Sequence, residues 1–158
     1  MTASPAIVLD VHEHAAVIFD IDGTLALIDH RRHHVVNRPK NWKAFYAAMS
    51  ADVPNIPVIN TLHGLMRVGY KGIICSGRPD DHRAATEKWL ARHYVSYNRL
   101  YMRKAGDFRA DDIVKRELLE QMRDDDFVPI LACDDRDRVV AMWRSEGLIC
   151  LQAALGDF

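Results

Sequence analysis

AVIFDIDGTLA, residues 16–26, carries an apolar run directly into Asp20 and Asp22, with Gly23 and Thr24 immediately behind. The run 16–21 reads as a buried strand, and alternation along a strand puts residues two apart on the same side. Both carboxyls therefore face one pocket before Gly23 turns the chain. The carboxyl edge of an open α/β sheet is where ligands bind, so the stretch points to a fold class and to a place for chemistry.

Working outward, four further apolar runs, 71–75, 100–102, 128–133 and 148–151, alternate with amphipathic segments. Ile59, Leu62, Leu65 and Met66 recur at helical spacing, as do Trp42, Phe45, Tyr46 and Met49, and the second set reads as core more readily than as a base-stacking surface. Pro79 is suited to open a helix through Trp89 and Leu90. Asp111 and Asp112 open another, with Ile113, Leu118 and Leu119 as its stripe, and residues 136–145 form the last, capped by Gly147. The alternation predicts a Rossmann-like α/β fold, a mostly parallel sheet flanked by helices. Residues 28–57 fit no strand of that sheet and read as a small cap inserted after the first strand. With 158 residues, 49% of them hydrophobic, the chain is expected to be a single domain over 1–158.

A formal net charge of −1 excludes a strongly basic nucleic-acid binder, so a polyanion would have to be held by a local patch. Cys75, Cys133 and Cys150 lie in apolar, strand-like runs and read as reduced thiols rather than a disulfide framework. No apolar run nears the roughly 18 residues of a membrane span, and the amino terminus lacks a leader pattern, which makes the cytoplasm the expected compartment. His12/His14 and His33/His34 lack the partners that define a zinc site.

The ends of the other runs extend the site. GIICSGRP delivers Ser76, the Gly77 amide and Arg78 to the edge that carries Asp20, and PILACDDR delivers Asp134 and Asp135. A phosphate monoester repels an incoming carboxylate and needs its leaving oxygen protonated. A nucleophilic carboxylate, a second acid and a magnesium ion held by oxygens meet those needs. Asp20 is the expected nucleophile, Asp22 the acid/base, and Asp134 the stronger candidate of the last pair for the metal. Ser76, Gly77 and Arg78 can hold phosphoryl oxygens. Lys115, one helical turn after Asp111, is best placed to hold the phosphate and keep the nucleophile ionised.

Plainer readings stand beside these. Asp134-Asp135 alone could cap a helix, Ser76-Gly77-Arg78 could be a turn, and Asp111 with Lys115 could be a helical ion pair.

The ordered set DIDGT, SGR, K and DD resembles the haloacid dehalogenase (HAD) superfamily of phosphatases. DDIVK, DDRDRVVAMWRSEGL and ICLQAALGDF are similar, more narrowly, to the phosphatase domain of bacteriophage polynucleotide kinase/phosphatases. The resemblance implies Mg2+-dependent removal of 3′-phosphates from DNA or RNA ends through a phosphoaspartate on Asp20. It implies metal binding by Asp20, by the Asp22 backbone carbonyl and by Asp134 and Asp135. Thr24, Arg31, Ser76, Gly77, Arg78, Asp111 and Lys115 would serve phosphate and substrate.

A homodimer follows by analogy only, and the compartment would be a host cytoplasm if the chain is phage-encoded. No GxxxxGK[ST] loop is present, so no 5′-kinase activity is expected, and the chain reads as a free-standing phosphatase or an excised domain. His30, Arg31, Arg32, His33, His34, Arg38 and Lys40 make the cap basic enough to steer a strand. The rivals are a HAD phosphatase for small molecules such as nucleotides, and a non-catalytic module that binds nucleic-acid ends.

Overall fold

The computed structural model describes residues 11–36 and 38–156. The amino-terminal residues 1–10, read above for a leader, lie outside the described residues. In chain order the elements are β1 (Ala15–Phe19), β2 (Ala26–Leu27), α1 (Asp29–Val36), α2 (Trp42–Ala47), β3 (Val53–Pro54), α3 (Ile56–Arg67), β4 (Lys71–Pro79), α4 (Arg83–Arg92), β5 (Arg99–Arg103), α5 (Asp111–Asp124), β6 (Val128–Asp134), α6 (Asp137–Ser145) and β7 (Ile149–Gln152).

β1 is buried along its whole length, which an unbroken AAVIF run permits and a half-polar strand would not. It takes the centre of a parallel five-stranded sheet in the order β5-β4-β1-β6-β7. Ala16 and Ile18 face one side, against Leu118, Leu119 and Met122 of α5 and Val139, Val140 and Trp143 of α6. Val17 and Phe19 face the other, against Ile59 and Leu62 of α3 and Trp89 and Leu90 of α4. Truncating a side chain as large and buried as Trp143 to alanine costs about 3–5 kcal/mol. The α/β fold expected from the run pattern is the fold observed. All three cysteines are buried free thiols.

β2 and β3 pair antiparallel, Ala26 with Pro54 and Leu27 with Val53, and pinch the intervening segment at its base. Ile28, Val35 and Phe45 form a small core of its own.

Several local expectations are corrected. Pro79 does not open a helix: it ends β4 with φ −60° and ψ 144°, still paired with Arg103 of β5. Its ring fixes φ but leaves ψ extended, so one 3₁₀ turn, Asp80–His82, intervenes before α4. Ile113 is exposed, and the buried stripe of α5 is instead Val114, Leu118, Leu119 and Met122. Met49 lies in a 3₁₀ turn beyond α2, although it is buried. Of the aromatic set read as core, only Phe45 is buried; Trp42 is exposed and Tyr46 half-buried. Gly147 follows the end of α6 with φ +85°, as a helix-ending glycine should. Among the described residues, no helix is long and apolar enough to cross a membrane.

Candidate active site

The carboxyl ends of β1 and β6 lie side by side, tied by the Asp20 amide donating to the Cys133 carbonyl at 3.0 Å. Asp20, Asp134 and Asp135 thereby converge, each offering an oxygen within 4.8 Å of the others, and all three are buried. Lys115 Nζ reaches in from α5 and donates to Asp20 Oδ1 at 2.8 Å and to Asp134 Oδ2 at 2.7 Å. The Trp143 indole donates to the same Asp134 oxygen at 3.2 Å, holding the carboxylate from the core side. Gly23 has φ +86°, and a Cβ there would overlap the Asp135 carboxylate. A side chain at 23 is thus barred by backbone conformation and by the acid beneath it.

Three buried carboxylates beside one ammonium leave excess negative charge in the site. Burial, opposed by Lys115 but reinforced by Asp134 and Asp135, pushes the Asp20 carboxyl well above the ordinary carboxylate range. Burial and neighbouring Asp134 likewise raise Asp135 to about 6. Burial works against the Lys115 ammonium, yet Asp134 and Asp20 outweigh it and hold the charge. An all-oxygen cluster short of positive charge fits a hard divalent cation such as Mg2+.

A second network surrounds Asp22. Its Oδ1 accepts from Arg31 Nη2 at 2.6 Å and from Arg78 Nη2, and Arg78 Nε adds a bond at 3.0 Å. Both arginines also bind Asp52, Arg31 through Nε and Nη2 at 2.6 Å each and Arg78 through Nη2 at 3.0 Å. Burial would raise Asp22, but Arg78 and Arg31 outweigh it and hold the carboxyl far below the usual range. Arg31 is fully buried and does not belong to a basic surface of the cap, correcting that part of the steering expectation. Asp52 went unnoticed in the sequence. It lies just before β3 in a segment with no motif, and its partners stand 21 and 26 residues away.

The remaining expected residues gather at the same edge. Ser76 Oγ accepts from the Arg78 amide at 3.2 Å. Thr24 is buried and its hydroxyl has no partner among the described residues, a condition that costs about 1–3 kcal/mol unless a ligand relieves it. Asp111 packs so closely on Gly77 that a Cβ there would overlap its carboxylate. Asp111 also accepts from Arg103 at 2.9 Å, and Arg103 donates to the Gly77 carbonyl at 2.8 Å. Asp111 and Lys115 approach to 3.8 Å, so the plain helical ion pair coexists with the site reading. Asp134 accepts from the Arg136 amide at 3.3 Å, but the α6 N-cap residue is Arg136 itself. A cavity of about 720 Å³ opens over Asp20, Asp22 and Lys115.

A family model, the polynucleotide kinase PNKP phosphatase domain, matches residues 14–158. The chain belongs to this family. This PNKP phosphatase domain is similar to a chain in the structure of the Pnkp1/Rnl/Hen1 complex, with 37% identity over 94% of this chain and 49% of that one and a TM-score of 0.80. A chain of the Pnkp1/Rnl/Hen1 RNA repair complex is 34% identical over 98% of this chain and 48% of that one, with a TM-score of 0.77. The chain thus spans about half the length of these relatives. The class C acid phosphatase from Bacillus anthracis, 17% identical over 91% of this chain and 68% of that one with a TM-score of 0.59, shares the fold alone. The family is a HAD-type phosphatase family.

Proposed function

We propose that this domain is a Mg2+-dependent polynucleotide 3′-phosphatase acting through a phosphoaspartate, with residues 28–57 as its cap. The observation that carries the chemistry is the buried triad Asp20, Asp134 and Asp135 gathered about Lys115. The choice of substrate is supported by the family match and by the neighbours' place in an RNA repair complex.

Asp20, Asp134 and Asp135, with the Asp22 backbone carbonyl, would hold Mg2+. When bound, the ion neutralises charge on the phosphate and on the acids. Lys115 holds Asp20 Oδ1 in line for attack and opposes the burial that disfavours its ionised form, which the metal's charge would favour further. Asp20 Oδ attacks phosphorus, the P–O3′ bond breaks, and Asp22 donates its proton to the leaving 3′-oxygen. Water, giving a proton back to Asp22, then opens the acyl phosphate and frees inorganic phosphate.

Asp22 can donate a proton only if its arginines are drawn off. Phosphate oxygens compete for the same guanidinium donors, so substrate entry itself relieves the grip that keeps Asp22 ionised. Thr24 Oγ1, without a partner among the described residues, and the Ser76–Gly77 turn are the further groups at hand for those oxygens.

Phosphate release from a 3′-phosphorylated oligonucleotide, run beside the 5′-phosphorylated oligomer and the free 3′-mononucleotide, tests the reading. Strong preference for the oligomer's 3′ end, abolished by chelation and by Asp20→Asn, is expected. Equal or better release from the mononucleotide would move the substrate to small metabolites and overturn the polynucleotide assignment.

A further inference from the structure

The catalytic cavity is walled by aromatic rings that the chemistry does not use. Trp42 is 41% exposed although it stands on the helix α2, and Phe108, on the loop between β5 and α5, is 95% exposed. Both line the cavity that opens over Asp20, as does Tyr46. Isolated exposed apolar residues are ordinary, but these three converge on one site from two separate segments.

Neither segment is loosely held. Trp42 stacks on Tyr46 with ring centroids 6.0 Å apart at 23°, and packs edge-on against Phe45 at 5.7 Å. Phe45 in turn lies under the Arg31 guanidinium at 4.0 Å, and its carbonyl accepts from Arg31 Nη1 at 3.4 Å. The aromatic layer of the cap is therefore pinned to the arginine that binds Asp22. On the other side, Arg103 Nη1 donates to the carbonyls of Asp107 and Arg109 at 3.1 and 2.8 Å, and the Ala105 amide donates to Asp80 at 2.8 Å. Phe108 is presented by a loop clamped on both flanks.

Aromatic faces carried on held backbone beside a phosphate site, with Lys40 5.5 Å over the Trp42 ring, have the chemistry of a nucleobase platform. We propose that Trp42, backed by Tyr46, and Phe108 stack on the unpaired terminal nucleobase of the strand whose 3′-phosphate is removed. The inference rests on the polynucleotide reading above and adds the group that the enzyme recognises beyond the phosphate. Every base has a π-face, so recognition of this kind is tolerant of base identity and sensitive to base absence.

The test compares two 3′-phosphorylated single-stranded oligonucleotides of one sequence, one ending in an ordinary nucleotide and one in an abasic residue. In the native protein, kcat/KM for the base-bearing end should exceed that for the abasic end by roughly tenfold, the scale of one stacking contact. Trp42→Ala and Phe108→Ala should each bring that ratio towards one, while Trp42→Phe, which keeps a ring, retains most of it. A native ratio near one, or a ratio that the alanine variants leave in place, overturns the platform.

Binding without turnover separates this inference from the reading beneath it. Trp89 and Trp143 are buried, so Trp42 is the tryptophan that a base can quench by direct stacking under chelation, and any response of Trp143 to the phosphate is common to both oligomers. Quenching by the base-bearing oligomer and not by the abasic one would uphold the platform even if neither were dephosphorylated. Equal quenching by both would overturn it.

Discussion

Arg31 grips Asp52 in a two-point pair, Nε to Oδ1 and Nη2 to Oδ2, each 2.6 Å, with both side chains wholly buried. The pair spans the cap: Arg31 is on α1, and Asp52 precedes β3. Because Arg31 also binds Asp22, the fold of the cap and the acid of the site share one network.

Replacing Asp52 by Ala removes one of the two carboxylates that Arg31 and Arg78 share, leaving Asp22. Removing one partner of a buried ion pair costs about 3–5 kcal/mol, and the freed arginines should lower kcat as well. Urea unfolding with steady-state rates checks both, and an Asp52→Ala protein with native stability would remove Asp52 from this role.

Lys115 holds Asp20 and Asp134 in place of a second cation. In Lys115→Met, activity should fall by about 10²–10³, the cost of losing a preorganised charge. Stabilisation by Mg2+ should nevertheless grow, because the three buried carboxylates then lose the ammonium that Asp20 and Asp134 share. Thermal melts with and without Mg2+ read the second effect, and a smaller Mg2+ shift than in the native protein would contradict it.

Asp135 sits near 6 where an ordinary carboxyl would be 3.8, raised by burial and then by Asp134. The folded state therefore binds the proton more tightly than the unfolded chain. The contribution to stability is fully present below 3.8 and is lost as pH rises through about 6, a span of roughly 3 kcal/mol. Metal-free protein should become more stable, relative to Asp135→Asn, as pH falls from 7 to 4, and saturating Mg2+ should flatten the difference. Parallel pH profiles for the two proteins without metal would show that Asp135 carries no such strain.

Trp143 fills the core and also donates to Asp134 Oδ2 at 3.2 Å. Trp143→Phe keeps much of the packing and deletes the donor. Mg2+ affinity should drop by about 10–100-fold, as expected for a residue that orients a metal ligand. Isothermal titration with Mg2+ checks this, and an unchanged affinity would leave Trp143 with a packing role alone.

The strands were legible because a parallel strand buried on both faces must be an unbroken apolar run, as in the β1 sequence AAVIF. Asp20, Ser76 and Asp134 were legible because each lies at or just beyond the carboxyl end of such a run. Asp52 was not, since the arginines that explain it come from α1 and β4 and only the fold brings them together. Helical spacing put Trp42, Phe45 and Tyr46 on neighbouring positions of one helix, but spacing does not say what lies opposite. Here Phe45 is buried in a small core against which Tyr46 also packs, while Trp42 stands exposed at the open cavity. Pro79 misled because its fixed φ serves an extended strand end as well as a helix start.

The central claim, a phosphoryl group passing through Asp20, is tested most directly by rapid acid quench with a 3′-[32P]phosphate oligonucleotide. Protein-bound label that hydroxylamine removes, that maps to the peptide containing Asp20 and that is absent in Asp20→Asn, is the result expected of an acyl phosphate. Full turnover with no label on the protein at any quench time, or turnover surviving in Asp20→Asn, would contradict it.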